Sequence, residues 1–284
     1  MKIGLMFNTD GIKGPELPAF AAALEETGLA SLWVPELFGR EPFVTVGALL
    51  AATQAITVAT GIANVYVRDA LAVRAAAATL AEFSGDRFAL GLGVSNTIGN
   101  TVRGHTWISP VEKLNQFFSA YESAPLSIES GQIPVYLAAH GPRLLAIAAE
   151  RTNGVLTYLQ TESYNRQARA QLSDDQQLIV IQPCIVQEDP VEARRIARRA
   201  ISIYLPLANY QRAWRAQGFS PADYADGGSD ALVDTLVAWG SVDAVRERLE
   251  QHRQLGVDQV VIIALNTAGR GRPDLAILKE LAGE

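Results

Sequence analysis

The sequence predicts an α/β protein, a (β/α)8 (TIM) barrel with a helical insertion before the eighth strand. Eight apolar stretches rich in β-branched residues alternate along the 284 residues with eight stretches of helical character. Because a right-handed crossover returns each strand in the same direction, this alternation gives a parallel sheet. The third stretch, Ile56–Ala59, has no polar face, which is typical of a parallel strand buried on both sides. We expect residues 1–284 to form a single barrel domain.

An open, doubly wound sheet is the alternative arrangement for such a chain. A dinucleotide-binding sheet of that kind needs a G-x-G-x-x-G turn that opens a helix. Here Gly91-x-Gly93 is followed by Asn96 instead of a third glycine, and we predict no helix start there. Closure into a barrel fits the count of eight strands.

The N-terminal half supplies four predicted strands and the helices that follow them. Pro15 begins the first helix and Gly28 ends it, while Asp69 caps an alanine-rich helix that runs to Phe83. Scattered glycine and asparagine residues after the fourth strand predict a loop through Ile108. The four strands are predicted over Ile3–Phe7, Ala30–Val34, Ile56–Ala59 and Arg87–Leu92.

The C-terminal half repeats the pattern with one interruption. Asp189 and Pro190 mark the start of a long helix, and Ser241 caps an amphipathic helix that ends at Gly256. The stretch from about residue 200 to 240 is longer than one crossover helix needs, so we interpret it as the insertion. The remaining strands are predicted over Ile133–Ala139, Val155–Leu159, Leu178–Val186 and Gln259–Leu265.

Composition limits the class of function. The formal net charge of -6 and the isoelectric point near 5.2 disfavour nucleic acid as a partner, because phosphate binding needs a concentrated positive field. The lone Cys184 excludes an internal disulfide, and we find no signal sequence and no apolar stretch of membrane-spanning length. We therefore expect a cytoplasmic protein that acts on a small molecule, away from membranes.

Polar residues that directly follow the strands are the candidate site residues, because a barrel carries its active site at the carboxyl ends of its strands. Each has a structural alternative: Glu36 can be an acid, a base or a solvated turn residue, and His140 can be a cap or a proton carrier. Gly61 frees the backbone where the third strand ends, as a cofactor shelf would require. The candidates at the strand ends are Asn8, Glu36, Asn64, Ser95, Asn96, His140 and Tyr158.

Two further patterns concern anions and metals. Gly141-Pro142-Arg143 provides backbone N–H groups and one cation at a helix start, which suits a phosphate, although any helix start has such donors. The chain has three histidines, and His252 lies on a helix far from the strand ends. We therefore predict no metal site.

Five segments in the same order as in a known family carry a resemblance: Ser31–Glu36, Thr60–Asp69, Gly85–Gly93, Pro134–Pro142 and Gly256–Asp258. Together they resemble the bacterial luciferase-like oxidoreductases, and more narrowly the branch that uses the deazaflavin coenzyme F420. The resemblance covers nearly the whole chain. It implies a TIM barrel, in agreement with the strand count.

The resemblance also implies which residues bind the cofactor. In this family the bulge after the third strand often contains a non-prolyl cis peptide and backs the cofactor's central ring; here it would fall at Gly61-Ile62 or the neighbouring bond. Glu36 matches an acidic position beside the ring, and His140 belongs to the turn that holds the ring and the phosphate tail. The cofactor-binding residues implied in this way are Glu36, Gly61, Ile62, Ala63, Asn64, Val94, Ser95, Ala139, His140, Gly141, Arg143 and Leu144.

The chain departs from the sugar-phosphate members of the family at three positions. Leu37 stands where they have a histidine, Asn96 where they have a loop glutamate, and Thr161 where they have a phosphate-binding lysine. A sugar phosphate is therefore a poor guess for the substrate. The residues we assign to catalysis are Glu36, Asn96 and His140, and those we assign to substrate binding are His105 and Tyr158.

The expected function is that of an F420-dependent oxidoreductase, which moves a hydride between the deazaflavin and a small organic substrate. An FMN-dependent monooxygenase of the same family is one alternative, since FMN shares the flat tricyclic ring and the phosphorylated tail. A flavin- or deazaflavin-binding protein without turnover is another. The resemblance further implies a homodimer or higher homo-oligomer.

Overall fold

Eight parallel strands close into a barrel in the part of the chain that this computed structural model describes, residues 1–129, 131–266 and 272–283. Closure is direct, because the last strand pairs with the first and places Lys2 opposite Gln259. The predicted TIM barrel is confirmed. The strands in chain order are β1 (Lys2–Met6), β2 (Ser31–Val34), β3 (Thr57–Thr60), β4 (Ala63–Asn64), β5 (Phe88–Gly93), β6 (Val135–Ala138), β7 (Gly154–Tyr158), β8 (Gln177–Val186), β9 (Ala238–Gly240) and β10 (Gln259–Leu265).

Two of these strands, β4 and β9, are additions that the sequence did not predict. β4 pairs with the end of β5, so that Ala63 lies opposite Leu92 and Asn64 opposite Gly93. β9 pairs in the same way with the end of β8. Segments of two and three residues are too short to show a recognisable periodicity. Both extend the sheet at the carboxyl ends of the barrel strands.

Helices cover the outside of the barrel and bury its apolar outer face. Several begin at the predicted caps: the Asp69 carboxylate accepts a hydrogen bond from the N–H of Ala72, and the Ser241 hydroxyl from that of Ala244. No helix in the described ranges is long and apolar enough to cross a membrane. The helices are α1 (Leu17–Glu25), α2 (Pro42–Ala51), α3 (Ala70–Ser84), α4 (Thr97–Val102), α5 (Pro110–Ser123), α6 (Pro142–Arg151), α7 (Glu162–Gln171), α8 (Pro190–Ile201), α9 (Ala208–Ala216), α10 (Asp230–Leu236), α11 (Val242–Gln254) and α12 (Leu275–Ala282).

The predicted loop after β5 is wrong in one respect, because a helix, α4, begins there. The Asn96 side chain accepts a hydrogen bond from the N–H of Gly99 and caps this helix. Asn100 is its one buried residue, while Ile98 and Val102 are exposed. Sequence reasoning missed this helix because a six-residue helix with exposed apolar residues lacks the apolar stripe of a core helix.

The predicted insertion contains α9, a 3-10 turn over Pro221–Tyr224, and α10. Its own apolar cluster packs over the ends of β7 and β8, with Trp214 fully buried at its centre. The Trp214 indole donates a hydrogen bond of 2.9 Å to the carbonyl of Leu159, directly after β7. Arg194 on α8 forms ion pairs with Asp230 and Asp234 of α10. The insertion is thus attached beside the carboxyl ends of the strands.

The barrel interior is filled with side chains and forms the floor of the site. Trp33 is 1% exposed, and its indole donates a hydrogen bond to the Ser31 hydroxyl. Gly4 leaves room for that hydroxyl, since a Cβ there would lie 2.2 Å from it. The partly buried residues that close the upper end of this core are Met6, Ile62, Ala138, Tyr158 and Ile263. The partly buried residues of the floor are therefore apolar, except for the phenol of Tyr158.

A buried histidine outside the barrel gives the fold a pH dependence. His252 on α11 is 3% exposed, and its Nε2 lies 3.1 Å from Oε1 of Gln182 on β8. The Gln182 amide nitrogen donates to two carbonyls, so Oε1 is the acceptor and His252 is the donor. Burial lowers the pKa of His252 to about 4, and the nearby positive charge of Arg248 acts in the same direction.

We predict that this histidine makes folding less favourable in mild acid. The unfolded chain binds the proton near the ordinary pKa of about 6.5, whereas the folded chain does not bind it until about pH 4. The contribution of His252 to the free energy of unfolding is therefore fully present above pH 6.5. It is lost as the pH falls, by about 2 kcal/mol between pH 7 and pH 5. Urea unfolding at the two pH values should show a clearly smaller loss for His252→Gln than for the wild type. Equal losses would contradict the prediction.

Candidate active site

A backbone shelf crosses the mouth of the barrel where β3 ends. The peptide bond Gly61-Ile62 is cis, at the place that the family resemblance indicated. A Cβ at Gly61 would lie 2.8 Å from the Met6 side chain and 3.0 Å from Trp33, so glycine is needed there because the backbone passes close to the barrel core. A Cβ at Gly93 would lie 2.9 Å from Ile62. The residues from Gly61 to Asn64 thus form a shelf over the interior, supported by β5.

The Glu36 carboxylate holds this shelf in place at Asn64. Its Oε2 accepts a hydrogen bond of 2.8 Å from the N–H of Asn64 and another of 2.8 Å from Arg68. The Glu36 side chain is 4% exposed, so the charge depends on these partners. Arg68 also pairs with Glu41 and stacks over the Phe43 ring at 5.1 Å. One oxygen of the predicted catalytic carboxylate is therefore engaged in fixing the shelf.

A buried pair of asparagines joins the shelf to the end of β5. The Asn64 side chain donates a hydrogen bond of 2.8 Å to Asn100 and accepts one from the N–H of Tyr66. The Asn100 amide in turn donates to the carbonyls of Val94 and Asn96. Both polar ends of the Asn64 amide are thus engaged within the protein. Sequence reasoning missed Asn100 because it lies on α4, which was not predicted.

The turn between β5 and α4 carries three more of the predicted residues. Val94 is buried, while Ser95 is exposed and has a φ of 58°, in the left-handed region. The Asn96 amide oxygen is engaged as the cap of α4, so it holds this turn. His105, predicted to bind substrate, lies in the segment after α4 with its ring 6.4 Å from Tyr66, which stacks on Trp107 at 5.3 Å.

The turn after β6 forms the neighbouring side of the mouth. Ala139 is fully buried, and the Tyr164 hydroxyl of α7 donates to its carbonyl while accepting from the N–H of Gly141. Gly141 has a φ of 96°, and the space around its missing Cβ is open to 4 Å. Arg143 is exposed and Leu144 partly buried at the first turn of α6, where backbone N–H groups lack intrahelical partners.

His140 and Tyr158 face an aromatic wall that the insertion supplies. Burial lowers the pKa of His140 to about 4, so its imidazole is neutral at pH 7. Burial, with Tyr204 and Tyr210 beside it, raises the pKa of Tyr158 well above its usual value, so the phenol keeps its proton. The ring of Tyr210 lies 4.7 Å from His140 in an edge-to-face arrangement. The sequence did not reveal this wall, because aromatic residues in an insertion carry no positional signal.

These residues form two adjoining clusters, one around the shelf and one around His140. A Cβ at Gly93 would contact Ile62 of the shelf and, at 3.4 Å, Ala138 at the end of β6. A closed parallel barrel with a shelf, a helix N-terminus and polar residues together at the carboxyl ends of its strands has the architecture of a TIM-barrel enzyme.

The chain belongs to the luciferase-like monooxygenase family, whose model matches residues 1–107 and 101–259. The resemblance drawn from the five segments is therefore confirmed. A 5,10-methylenetetrahydromethanopterin reductase from Archaeoglobus fulgidus is 23% identical over 308 residues, which cover 92% of each chain. A protein assigned as a coenzyme F420-dependent oxidoreductase from Mycobacterium tuberculosis is 22% identical, with 93% of this chain and 95% of that protein covered.

Two solved structures share the fold. The F420-dependent tetrahydromethanopterin reductase from Methanopyrus kandleri superposes with a TM-score of 0.75 at 18% identity, and covers 100% of this chain and 97% of its own. The oxygenating constituent of 3,6-diketocamphane monooxygenase from Pseudomonas putida, bound to FMN, superposes with a TM-score of 0.73 at 14% identity, with the same coverage of both chains. The fold alone therefore does not discriminate between the two cofactors.

We predict that Arg68→Met lowers the free energy of unfolding by about 3 kcal/mol, because it leaves the buried Glu36 carboxylate without its cation. The double variant Glu36→Gln/Arg68→Met removes the charge as well and should regain at least half of that loss. Arg199→Met, at an exposed position on α8, is the control and should change stability by less than about 0.5 kcal/mol. Urea unfolding at pH 7 measures all three. Equal losses for the single and the double variant would contradict the role of the ion pair.

Proposed function

We propose that the protein is an oxidoreductase that binds coenzyme F420 at the barrel mouth and transfers a hydride between the deazaflavin and a small organic substrate. The observation that carries the proposal is the shelf from Gly61 to Asn64 after β3, which lies directly over the apolar barrel core. Relatives over nearly the whole chain include a protein assigned as F420-dependent and a methanopterin reductase, which support the same class of chemistry.

The residues at the mouth fit a flat ring with a phosphorylated tail. Met6, Ile62, Ala138 and Ile263 give an apolar floor on which an uncharged ring face can lie. The first turn of α6 offers free N–H groups and the Arg143 cation for the tail, and the open space at Gly141 allows close approach. Of the residues predicted to bind the cofactor, Ile62 thus suits the ring, and Gly141 and Arg143 suit the tail.

When bound, F420 supplies the carbon that gives or accepts the hydride, and the protein supplies orientation. The shelf residues Gly61 to Asn64 would hold one face of the ring. Glu36 keeps the shelf in position through Asn64, so we assign it a positioning role first. His140, neutral at pH 7, and Tyr158, protonated at pH 7, are suited to donate hydrogen bonds to an oxygen atom on the substrate or the ring.

The substrate class is narrowed by two positions. Thr161 stands where sugar-phosphate members have a lysine, and because threonine is uncharged it offers no cation to a phosphate. Its hydroxyl instead accepts a hydrogen bond from the N–H of Tyr164 and caps α7. Leu37, where sugar-phosphate members have a histidine, is 47% exposed after β2, and the neighbouring Phe38 is 71% exposed, with the Arg103 guanidinium 5.3 Å from its ring. We propose a substrate with a carbonyl or alcohol group and no phosphate. The cytoplasmic location and the homo-oligomeric state remain predictions.

Fluorescence titration of the apo-protein tests the cofactor. We expect micromolar or tighter binding of F420 and weaker binding of FMN. Arg143→Gln should weaken F420 binding about tenfold if its cation contacts the tail. Arg199→Gln makes the same charge change on α8 and should leave affinity unchanged. With a panel of enones, alcohols and aldehydes, turnover should change the F420 absorbance without consuming oxygen.

Three outcomes would overturn parts of this proposal. Preference for FMN together with oxygen uptake would identify an FMN-dependent monooxygenase. Tight F420 binding without turnover on any member of the panel would support the non-catalytic alternative. Failure to bind either cofactor would contradict the site itself.

A further inference from the structure

We infer that Gln160 and Gln217 fix His140 as the neutral tautomer that carries its proton on Nε2, so that the insertion sets a hydrogen-bond donor at the barrel mouth. The tautomer follows from the hydrogen-bond geometry alone. The use of that donor toward a ligand oxygen rests on the proposed function.

The direction of every hydrogen bond in this chain of amides is determined at its two ends. The peptide N–H of Thr161 can only donate, and it lies 2.8 Å from the Gln217 side chain, which must therefore present its oxygen there. The Gln217 amide nitrogen is then the group that lies 2.6 Å from Gln160, and it donates to the Gln160 oxygen. The first half of the chain thus has one orientation.

The second half ends on a group that can only accept. The oxygen of the Gln160 amide faces Gln217, so its nitrogen faces the other way. This nitrogen donates to the carbonyl of Tyr158 at 3.1 Å and also lies 2.8 Å from Nδ1 of His140. The usual ambiguity between oxygen and nitrogen in a glutamine amide is thereby removed, since a flipped Gln160 would set oxygen against the Tyr158 carbonyl. A donor faces Nδ1, so Nδ1 is the acceptor.

The consequence for His140 follows from the chemistry of imidazole. A neutral ring carries one N–H, and with Nδ1 accepting, the proton is on Nε2. An imidazolium would need a proton on Nδ1 as well, which would bring two donors together. The edge-on contact with Tyr210 adds a desolvated neighbour, in agreement with the lowered pKa of His140. His140 is therefore a neutral hydrogen-bond donor, and its assignment to catalysis stays a prediction.

The insertion is what holds the two glutamines in this arrangement. Gln217 directly follows α9, and its N–H is bonded to the carbonyls of Ala213 and Trp214. Trp214 is fully buried and anchors the helix on Leu159, one residue before Gln160. Tyr210, one helical turn before Trp214, supplies the ring against His140. The segment that the sequence marked only as an insertion thus positions a residue of the site.

Nitrogen NMR of the protein labelled with 15N-histidine tests the tautomer directly, because only three histidines need to be assigned. At pH 7 the wild type should show a protonated Nε2 and an unprotonated Nδ1 for His140. A proton on Nδ1 in the wild type would overturn the inference without any variant.

A near-isosteric variant tests the cause. Gln160→Glu replaces the donor opposite Nδ1 by an acceptor, so the His140 proton should move to Nδ1 or the ring should become doubly protonated. Gln211→Glu makes the same change on α9 outside this chain of amides and should leave His140 unchanged. If the His140 spectrum is the same in Gln160→Glu and the wild type, the glutamines do not set the tautomer.

Titration of the labelled wild type with F420 separates this inference from the proposed function. If His140 donates to the bound cofactor, its Nε2 resonance should shift while the proton stays on Nε2. Binding of F420 without that shift would overturn the donor role toward the cofactor. No binding of F420 would count against the proposed function and would leave the tautomer result in force.

Discussion

One buried carboxylate holds the mouth of this barrel in its observed form. The Glu36 side chain is almost entirely out of water, where an unpaired charge would cost several kcal/mol. Its hydrogen-bond partners must therefore lie next to its carboxylate. Arg68 supplies the opposite charge and the N–H of Asn64 a hydrogen bond. That second contact fixes where the chain runs after Gly61 and lets Asn64 pair with the end of β5. The shelf is thus built from polar contacts above an apolar barrel core.

Each side of the mouth is held by a pair of hydrogen-bonded side-chain amides. On the shelf side, the amides of Asn64 and Asn100 connect β4, β5 and α4. On the other side, the amides of Gln160 and Gln217 connect His140 to the insertion. The amides of each network bond within the protein, which leaves the apolar floor, the turn at Gly141 and the Nε2 proton of His140 to receive a ligand. This division explains how a site can be rigid without offering charged side chains to an uncharged ring.

The sequence predicted the barrel because parallel strands buried on both faces appear as continuous apolar runs, such as residues 178–181, and because the helix caps are local signals. It also predicted that Glu36, Gly61 and His140 follow strand ends, and in the structure they follow β2, β3 and β6. It could not show that Asn96 caps α4, nor that Asn100, 36 positions from Asn64, completes the shelf. Gln217 is 56 positions from Thr161, and such long-range side-chain contacts leave no local pattern.

Under the proposed function, this barrel mouth holds the ring of F420 on the shelf and its tail at α6. A crystal structure of the protein with oxidised F420 tests it most directly. We predict the ring against the backbone of Gly61–Ala63, the tail phosphate at the first turn of α6 near Arg143, and Glu36 still bonded to the N–H of Asn64. A ring bound away from the shelf, or a Glu36 carboxylate released from Asn64 on binding, would contradict the account.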